Sequence, residues 1–457
     1  MARPQPRGLR AGTSAAGLDL ERLLATLTAL ATAAPRLWVA YSGGLDSHVL
    51  LHACAQLRPR LPCPIAAVHL EHCLQPGSAD WARHCRRVCD QLGVALTVRR
   101  LSLQPIRGES LEAVAREARL SAFADLVQPG ELVATGQHRD DQAETVLLAL
   151  LRGSGPRGLA GMIAERPIGA GRLVRPLLDW TRADLQAYAK TRGLTWIEDP
   201  SNANTDIDRN LVRHQVLPLL RRRWPAAGVT IARSARHCAD ATALLDRWAD
   251  AELPAIAGSR PGTLAIKDLL RRDEGQQRAL LRRAIEQQGF RVPSERILAR
   301  ILNELARARL DASPLVAWPG CEARRYRGDI YLIEPLPPVP SVNLRWRADR
   351  ELVLPAWLGR IEPVGQMPSS SRELRVQFAP TGLYCRGADG RRRTLKKVWQ
   401  QAGIPVWLRG YVPVFLDDGG PVLITGVAAC STAAPAVRWY GHPWERYGVF
   451  REALTDS

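Results

Sequence analysis

Residues 42–47, Ser-Gly-Gly-Leu-Asp-Ser, have the types and spacing of an anion-binding loop. The two glycines allow a tight turn and let the backbone approach a ligand closely. If a helix begins here, its first unpaired N–H groups and its dipole attract negative charge. The sequence therefore predicts a phosphate site. The alternative is an ordinary glycine turn in which Asp46 and Ser47 cap the helix.

The segments on either side of this loop supply the elements that must position it. Residues 37–41 form an apolar run typical of a buried strand, and residues 48–54 begin a helical pattern. No lysine follows the glycines, so this is not the G-x-x-x-x-G-K-[ST] loop of other nucleotide-binding proteins. The motif instead resembles the pyrophosphate loop (PP loop) of the N-type ATP pyrophosphatases, which cleave ATP between its α and β phosphates.

A second motif, at residues 134–145, reads Ala-Thr-Gly-Gln-His-Arg-Asp-Asp-Gln-Ala-Glu-Thr. Asp141 and Glu144 are three residues apart, so they share one face of a helix. The same spacing is also a variant of the helix capping box, and this alternative stays open. Next to a phosphate loop, Asp140, Asp141 and Glu144 could instead hold Mg²⁺ or bind a cationic substrate.

Strand and helix patterns alternate through this part of the chain. Short strands are predicted at residues 37–41, 65–70, 94–99 and 131–135, and helices at 47–56, 81–92 and 110–126. This alternation predicts an α/β fold with a doubly wound parallel sheet. Ligands of such sheets bind beyond the carboxyl ends of the strands, so both motifs are expected in one site.

The length of 457 residues is too great for a single core. We predict a disordered tail over 1–18, a PP-loop domain over 19–225, a helical substrate-recognition domain over 226–335 and a small α+β domain over 341–457. The proline-rich residues 334–340 are expected to link the last two.

The net charge of +18 favours a polyanionic partner, most simply a nucleic acid. No apolar run reaches the roughly 18 residues that a membrane span needs. The nine cysteines include no C-x-x-C pair, which argues against a disulfide framework and fits a reducing cytoplasm. Cys85 and Cys89 lie one helical turn apart, but a metal site there would need further ligands.

A basic cluster lies near the C-terminus. Its six cations within twelve residues are Arg386, Arg391, Arg392, Arg393, Lys396 and Lys397. Such a run is often only solvated surface. We predict instead that it binds a nucleic acid through phosphate contacts, with base recognition supplied elsewhere.

The order of these motifs resembles that of the bacterial tRNA(Ile)-lysidine synthases, and this resemblance implies that the basic cluster binds the acceptor stem of a tRNA. The matching stretches are residues 42–47, 68–72, 134–155, 175–178, 196–202 and 209–214, followed by 395–397 and 403–409. Gln137 and Leu120 depart from that family, in which a second histidine and an aromatic residue are usual. The resemblance implies adenylation of the C2 oxygen of the wobble cytidine in a CAU-anticodon tRNA(Ile). The ε-amine of free lysine then attacks C2 and expels AMP.

The resemblance also implies roles for individual residues. The candidate catalytic residues are Asp46, Asp141, Glu144 and Arg116. The candidate ATP-binding residues are Ser42, Gly43, Gly44, Leu45, Asp46, Ser47, His69, Gly136 and His138. The candidate substrate-binding residues are Asp141 and Glu144 for lysine, and Arg209, Arg391, Arg392, Arg393, Lys396 and Lys397 for RNA. The candidate Mg²⁺ ligands are Asp46 and Asp140. Without the family, each arginine would be read as part of a solvated helix face.

Two other functions compete with this interpretation. One is a PP-loop tRNA thiolase, which the lack of a C-x-x-C pair argues against. The other is a non-catalytic RNA-binding relative, which the two complete motifs argue against. The remaining expectations are a cytoplasmic enzyme without a membrane segment, in which a homodimer is allowed.

Overall fold

The computed structural model describes residues 17–71, 78–101, 111–309, 312–347, 350–355, 357–364, 373–386, 390–432 and 434–450. Most of the predicted tail and His72 of the second matching stretch lie outside these residues. The chain divides into two compact units, Met1–Ala243 and Leu244–Ser457. No helix among the described residues is long and apolar enough to cross a membrane.

The first unit alternates strands and helices. Its strands are β1 (Leu37–Ala40), β2 (Ile65–Glu71), β3 (Leu96–Arg100), β4 (Leu132–Ala134), β5 (Glu165–Ile168) and β6 (Gly171–Val174). Its helices are α1 (Leu20–Ala31), α2 (Leu45–Leu57), α3 (Ser78–Leu92), α4 (Leu111–Ala124), α5 (Arg139–Leu151), α6 (Pro156–Leu159), α7 (Arg182–Thr191), α8 (Asp208–Leu211), α9 (Leu217–Arg223) and α10 (Ala227–Glu252), which begins in this unit. A π-helical turn, Val212–Val216, joins α8 to α9.

The six strands form one sheet in the order β3-β2-β1-β4-β6-β5. All neighbours are parallel except β5 and β6, which are antiparallel. Successive side chains of β1 enter different cores: Leu37 and Val39 pack with α1 and α2, whereas Trp38 packs with Phe123 of α4. Because both faces are covered, the strands read as continuous apolar runs. The predicted doubly wound parallel sheet is confirmed.

The second unit contains the remaining elements. Its helices are α11 (Ile266–Leu270), α12 (Glu274–Gln287), α13 (Glu295–Arg300) and α14 (Leu395–Gln401). Its strands are β7 (Leu264–Ala265), β8 (Leu315–Trp318), β9 (Cys321–Tyr326), β10 (Asp329–Ile333), β11 (Leu344–Arg347), β12 (Leu352–Val353), β13 (Arg360–Pro363), β14 (Glu373–Gln377), β15 (Tyr384–Arg386), β16 (Arg392–Thr394), β17 (Val414–Asp417), β18 (Gly420–Ile424), β19 (Ala428–Ala429) and β20 (Val437–Tyr440).

The helices α11–α13 pack against an antiparallel sheet, in the order β7-β10-β9-β8, around one apolar core. This sheet was not predicted from the sequence. In β9, buried and partly exposed residues alternate, and the buried positions are Cys321, Ala323 and Arg325. An arginine on the buried face interrupts the apolar alternation that identifies a strand.

The C-terminal strands form a five-stranded sheet, a three-stranded sheet and the β15–β16 hairpin. They share a core with Tyr331 and Ile333 of β10, and Leu336 of the proline-rich stretch packs against it. A disulfide joins Cys385 to Cys430. The other described cysteines are free.

Candidate active site

The PP loop, residues 42–47, connects β1 to α2 and is braced by its own serines. The hydroxyl of Ser47 donates to the carbonyl of Gly44 at 3.0 Å, and the N–H of Ser42 donates to Ser47 Oγ at 3.2 Å. Gly43 has φ +87°, a left-handed conformation that glycine adopts without strain. The loop is therefore held in one shape before any ligand binds.

The start of α2 has no side-chain cap. Gly44 is the N-cap residue and makes no capping hydrogen bond, because it has no side chain. The alternative in which Asp46 and Ser47 cap this helix is therefore wrong. The first-turn N–H groups, which have no partner within a helix, are left for an anion, as the phosphate-site prediction requires.

The loop that follows β4 touches the PP loop directly. A Cβ atom on Gly136 would lie 3.0 Å from the carbonyl carbon of Asp46 and 3.0 Å from the nitrogen of Ser47. This is tighter than most contacts of a Cβ atom, so a larger residue at position 136 would push the backbone of the PP loop aside by a few tenths of an ångström. The two motifs of the sequence thus lie together at the carboxyl edge of the sheet.

His138 links the PP loop to α5. It is the N-cap residue of α5, and its Nδ1 accepts the N–H of Asp140 at 3.2 Å. Its Nε2 lies 3.6 Å from Asp46 Oδ2 and 3.4 Å from Asp141 Oδ2. Asp141 completes a capping box by accepting the N–H of His138 at 3.1 Å. The capping box expected from Asp141 and Glu144 is therefore wrong: His138 and Asp141 form it.

Glu144 and Asp141 face two arginines from the segment around the π-helical turn. Glu144, whose side chain is 1% exposed, accepts from Arg209 Nε at 2.8 Å and from Arg213 Nε at 2.6 Å. Asp141 Oδ1 lies 3.2 Å from Arg209 and 3.0 Å from Arg213. These four side chains, called the acid–arginine network below, form a closed set of ion pairs.

The network shifts the ionisation of its members. Burial alone would raise the pKa of Asp141, but the charges of His138, Arg209 and Arg213 outweigh it and hold that pKa below its usual range. Burial would lower the pKa of Arg213, but hydrogen bonds and charge from Glu144 raise it above its usual range. Asp141 is therefore a carboxylate at neutral pH.

Arg213 received no role from the sequence, although it lies in the same matching stretch as Arg209. The available signal was spacing. Residues four apart lie on one face of a helical segment. If Arg209 has a role in the site, Arg213 is therefore expected to have a role there too. The π-helical turn that contains Arg213 is a feature often found at functional sites.

Asp140 points away from this network. Its Oδ2 accepts the N–H of Arg182 at 2.7 Å, and its Oδ1 pairs with Arg221. Asp46 differs, because its Oδ1 is buried and has no hydrogen-bond partner. An orphaned carboxylate oxygen beside a phosphate loop fits a Mg²⁺ ligand, whereas both oxygens of Asp140 already have donors.

The remaining candidate residues lie elsewhere in the two units. His69 is buried, and its Nδ1 lies 2.9 Å from the carbonyl oxygen of Tyr41 at the end of β1. Arg116 is exposed on α4. In the second unit, Arg392 stacks over the ring of Tyr384, 4.9 Å from its centroid. Its basic neighbours Arg386, Arg391, Lys396 and Lys397 are exposed, and Arg393 is partly exposed.

Cys85 and Cys89 on α3 have buried thiols. Burial, reinforced by Cys89 in the case of Cys85 and by Asp90 in the case of Cys89, raises the pKa of Cys85 to about 12 and that of Cys89 to about 11. Such thiols stay protonated and unreactive at neutral pH. Within the described ranges, no group of three metal-binding side chains occurs.

Three family models match the chain. They are described as a PP-loop domain (residues 18–220), a TilS substrate binding domain (264–331) and a TilS substrate C-terminal domain (374–440). A U34-tRNA thiolase from Methanococcus maripaludis resembles part of the chain at 15% identity and a TM-score of 0.40, covering 48% of this chain and 77% of that one.

Curated relatives align along most of the chain. A tRNA(Ile)-lysidine synthase from Coxiella burnetii is 40% identical over 421 residues, which cover 90% of this chain and 92% of the relative. One from Alkalilimnicola ehrlichii is 44% identical over 412 residues, which cover 88% and 92%. With the PP loop and the acid–arginine network in place, the chain belongs to the tRNA(Ile)-lysidine synthase family.

Proposed function

We propose that this chain ligates L-lysine to C2 of the wobble cytidine in a CAU-anticodon tRNA(Ile), which changes its codon from AUG to AUA. ATP is consumed, and AMP and pyrophosphate are released. The observation that carries the proposal is the contact between the PP loop and the Gly136–His138 loop. The proposal is supported by this contact because the candidate anion loop, a free carboxylate oxygen and the acid–arginine network then lie at one edge of the sheet.

In the first step, the C2 oxygen of the cytidine attacks the α phosphate of ATP and pyrophosphate leaves. The uncapped N–H groups at the start of α2 are suited to hold phosphate oxygens on which charge develops. Asp46 is the residue that would hold Mg²⁺, which neutralises a departing pyrophosphate. His138 keeps Asp46 in position from the α5 side.

In the second step, the ε-amine of lysine forms a bond to C2, the bond from C2 to the adenylated oxygen breaks, and AMP leaves. A proton is lost from the amine. Lysine carries two ammonium groups and one carboxylate. Asp141 and Glu144 suit the ammonium groups, and Arg209 or Arg213 suits the carboxylate. Bound lysine would then replace ion pairs that join Asp141 and Glu144 to the two arginines in this structure.

The basic cluster of the second unit supports the RNA part of the proposal. Exposed cations at Arg391, Arg392 and Lys397 give phosphate contacts without base selectivity. The wobble base must leave its stack to reach a pocket at the sheet edge, as is usual in RNA recognition. We place the reaction in the cytoplasm and leave a homodimer as a prediction.

Incubation with radiolabelled lysine, ATP and a CAU-anticodon tRNA(Ile) transcript tests the proposal. We expect lysine-dependent label in the RNA together with one AMP for each lysine. The matched control is the same transcript with a GAU anticodon, which lacks the wobble cytidine and is expected to stay unlabelled. A folded protein that leaves the CAU transcript unlabelled would contradict the proposed reaction.

A further inference from the structure

Three arginines lie together at one side of the first unit's sheet, outside the acid–arginine network. Arg116 is on α4, Arg166 is on β5 and Arg175 directly follows β6. The antiparallel β5 and β6 place Arg166 opposite Leu173, two residues before Arg175, and α4 packs against β5. We call these residues the three-arginine cluster.

The cluster lacks a neutralising anion. Within the described part of the chain, none of its members forms an ion pair with a carboxylate, and Glu117 is the acid whose charge reaches Arg166. Arg175 is only 7% exposed, and the Nε atoms of Arg166 and Arg175 are buried without an acceptor. One acceptor is present, since Arg175 Nη1 donates to the carbonyl of Ile163 at 2.6 Å.

This arrangement opposes folding. Burial, then the charges of Arg166 and Arg116, lower the pKa of Arg175 to about 10. Burial and the charge of Arg116 also lower the pKa of Arg166, against the effect of Glu117. Arg166 and Arg175 nevertheless remain cationic at neutral pH. A buried cation without a counter-charge is unfavourable, so its presence favours a role in which an external anion supplies the missing charge.

We propose that the three-arginine cluster binds a phosphate group at a site separate from the PP loop. Guanidinium groups match phosphate oxygens in charge and in their forked geometry. The sheet order β1-β4-β6-β5 places Arg175 about two strand spacings and Arg166 about three strand spacings from β1, so the cluster lies roughly 10 to 14 Å from the PP loop along the sheet. One phosphate group cannot occupy both sites.

Arg175 lies at the edge of the sheet that carries the candidate active site. The N–H of Thr135 donates to the carbonyl of Val174 at 3.0 Å, so Arg175 begins its loop beside the Gly136 loop. Two substrates of the proposed reaction carry phosphate: the RNA backbone and ATP. The identity of the source rests on the proposed function, whereas the anion site itself rests on the cluster.

The test uses Arg166→Gln, with Arg166→Lys to retain the charge. Arg58→Gln is the control, because Arg58 is exposed and lies at the opposite end of α2 from the PP loop. For each protein we would measure the affinity for a CAU-anticodon tRNA transcript over a range of salt and the affinity for ATP by calorimetry. If the phosphate belongs to RNA, Arg166→Gln weakens tRNA binding on the order of tenfold and lowers the salt slope by about 1.

If the phosphate belongs to ATP, the same variant weakens ATP binding and leaves the salt slope unchanged. In either case Arg166→Lys recovers part of the loss and Arg58→Gln behaves as wild type. Unchanged affinity for both probes would overturn the proposal. Both affinities are measured without lysine, so they do not depend on lysine transfer. If the wild type fails to transfer lysine in the labelling experiment, the proposed function fails, but the test of the phosphate site still stands.

Thermal unfolding separates this site from a structural role. Arg166→Gln removes repulsion from Arg175 and Arg116, so its midpoint is expected to equal or exceed that of the wild type. Inorganic pyrophosphate is expected to raise the midpoint of the wild type more than that of the variant. A lowered midpoint with unchanged response to pyrophosphate would assign Arg166 to the fold and overturn the proposal.

Discussion

Asp141 illustrates how neighbours determine the role of a single residue. The sequence allowed it to be a helix cap, a metal ligand or a receptor for lysine. In the structure it completes the capping box with His138 through one oxygen and pairs with Arg209 and Arg213 through the other. Its charge therefore matters for stability as well as for substrate binding.

Asp141→Asn is expected to reduce the free energy of unfolding by about 3 kcal/mol at pH 7, because it leaves the arginines of a buried network short of charge. The pKa of Asp141 is lowered in the folded state, so its contribution is present above about pH 4 and is lost as the pH falls through the folded-state value. Urea denaturation at pH 7 and pH 3 should show the difference between wild type and variant narrowing.

Asp90→Asn is the control for this experiment, because Asp90 is exposed on α3. Its unfolding free energy should stay close to that of the wild type at both values of pH. A difference for Asp141→Asn that remains constant from pH 7 to pH 3 would contradict the ion-pair assignment.

Asp46 differs from Asp141, because its Oδ1 has no hydrogen-bond partner and therefore contributes no bond to the stability of the fold. We expect Asp46→Ala to lower AMP formation about 100-fold or more, because the variant lacks the carboxylate that would hold Mg²⁺ against the departing pyrophosphate. Binding of the tRNA should persist, which filter binding would show. Loss of RNA affinity together with activity would mean that the PP loop has a structural role instead.

Elements meet at Gly136, where the β4 loop rests on the first turn of α2. The contact depends on the absence of a Cβ atom, because the backbone of Asp46 and Ser47 lies 3.0 Å from its ideal position. Neither the strand nor the helix alone fixes the anion site. Their relative position does, and Gly136 sets the distance between them.

Gly136→Ala is expected to displace the PP loop and to lower ATP affinity about tenfold, since small displacements at such sites have large effects. Gly155→Ala is the matched control. An added Cβ at position 155 meets no atom within 4 Å, and its backbone does not need glycine. Calorimetric titration with ATP compares the two. Equal affinities in both variants would contradict the close-contact argument.

At the scale of the whole molecule, the excess of positive charge divides between different surfaces. The C-terminal cluster is exposed beside the aromatic ring of Tyr384, whereas the arginines near α5 are paired with acids. Net charge therefore indicates a nucleic-acid partner, but it does not say which arginines remain for that partner.

The triple variant Arg391→Glu, Arg392→Glu and Arg393→Glu is expected to weaken tRNA binding on the order of 100-fold and to flatten its salt dependence, because fewer counterions are released. The control reverses the same charge at exposed Arg345, Arg347 and Arg350 of the same unit. Filter binding from low to high salt distinguishes them. Equal salt slopes in both triple variants would make the C-terminal cluster ordinary surface.

Sequence alone determined the parallel sheet, the PP loop and the family, because these depend on local patterns: apolar runs, glycines at a turn and motifs in a set order. The β8–β10 sheet was not predicted, because Arg325 on the buried face of β9 interrupts the apolar alternation.

Only the tertiary structure decided which charges face one another. Arg209 and Arg213 lie more than sixty residues from Asp141 and Glu144, and no local pattern reports a pairing at that separation. It also showed that the three-arginine cluster gathers residues from a helix, a strand and the loop after another strand, with no ion pair to a carboxylate among the described residues. Local sequence dictates the conformation of a loop or helix, but the free energy of a buried charge depends on everything packed around it.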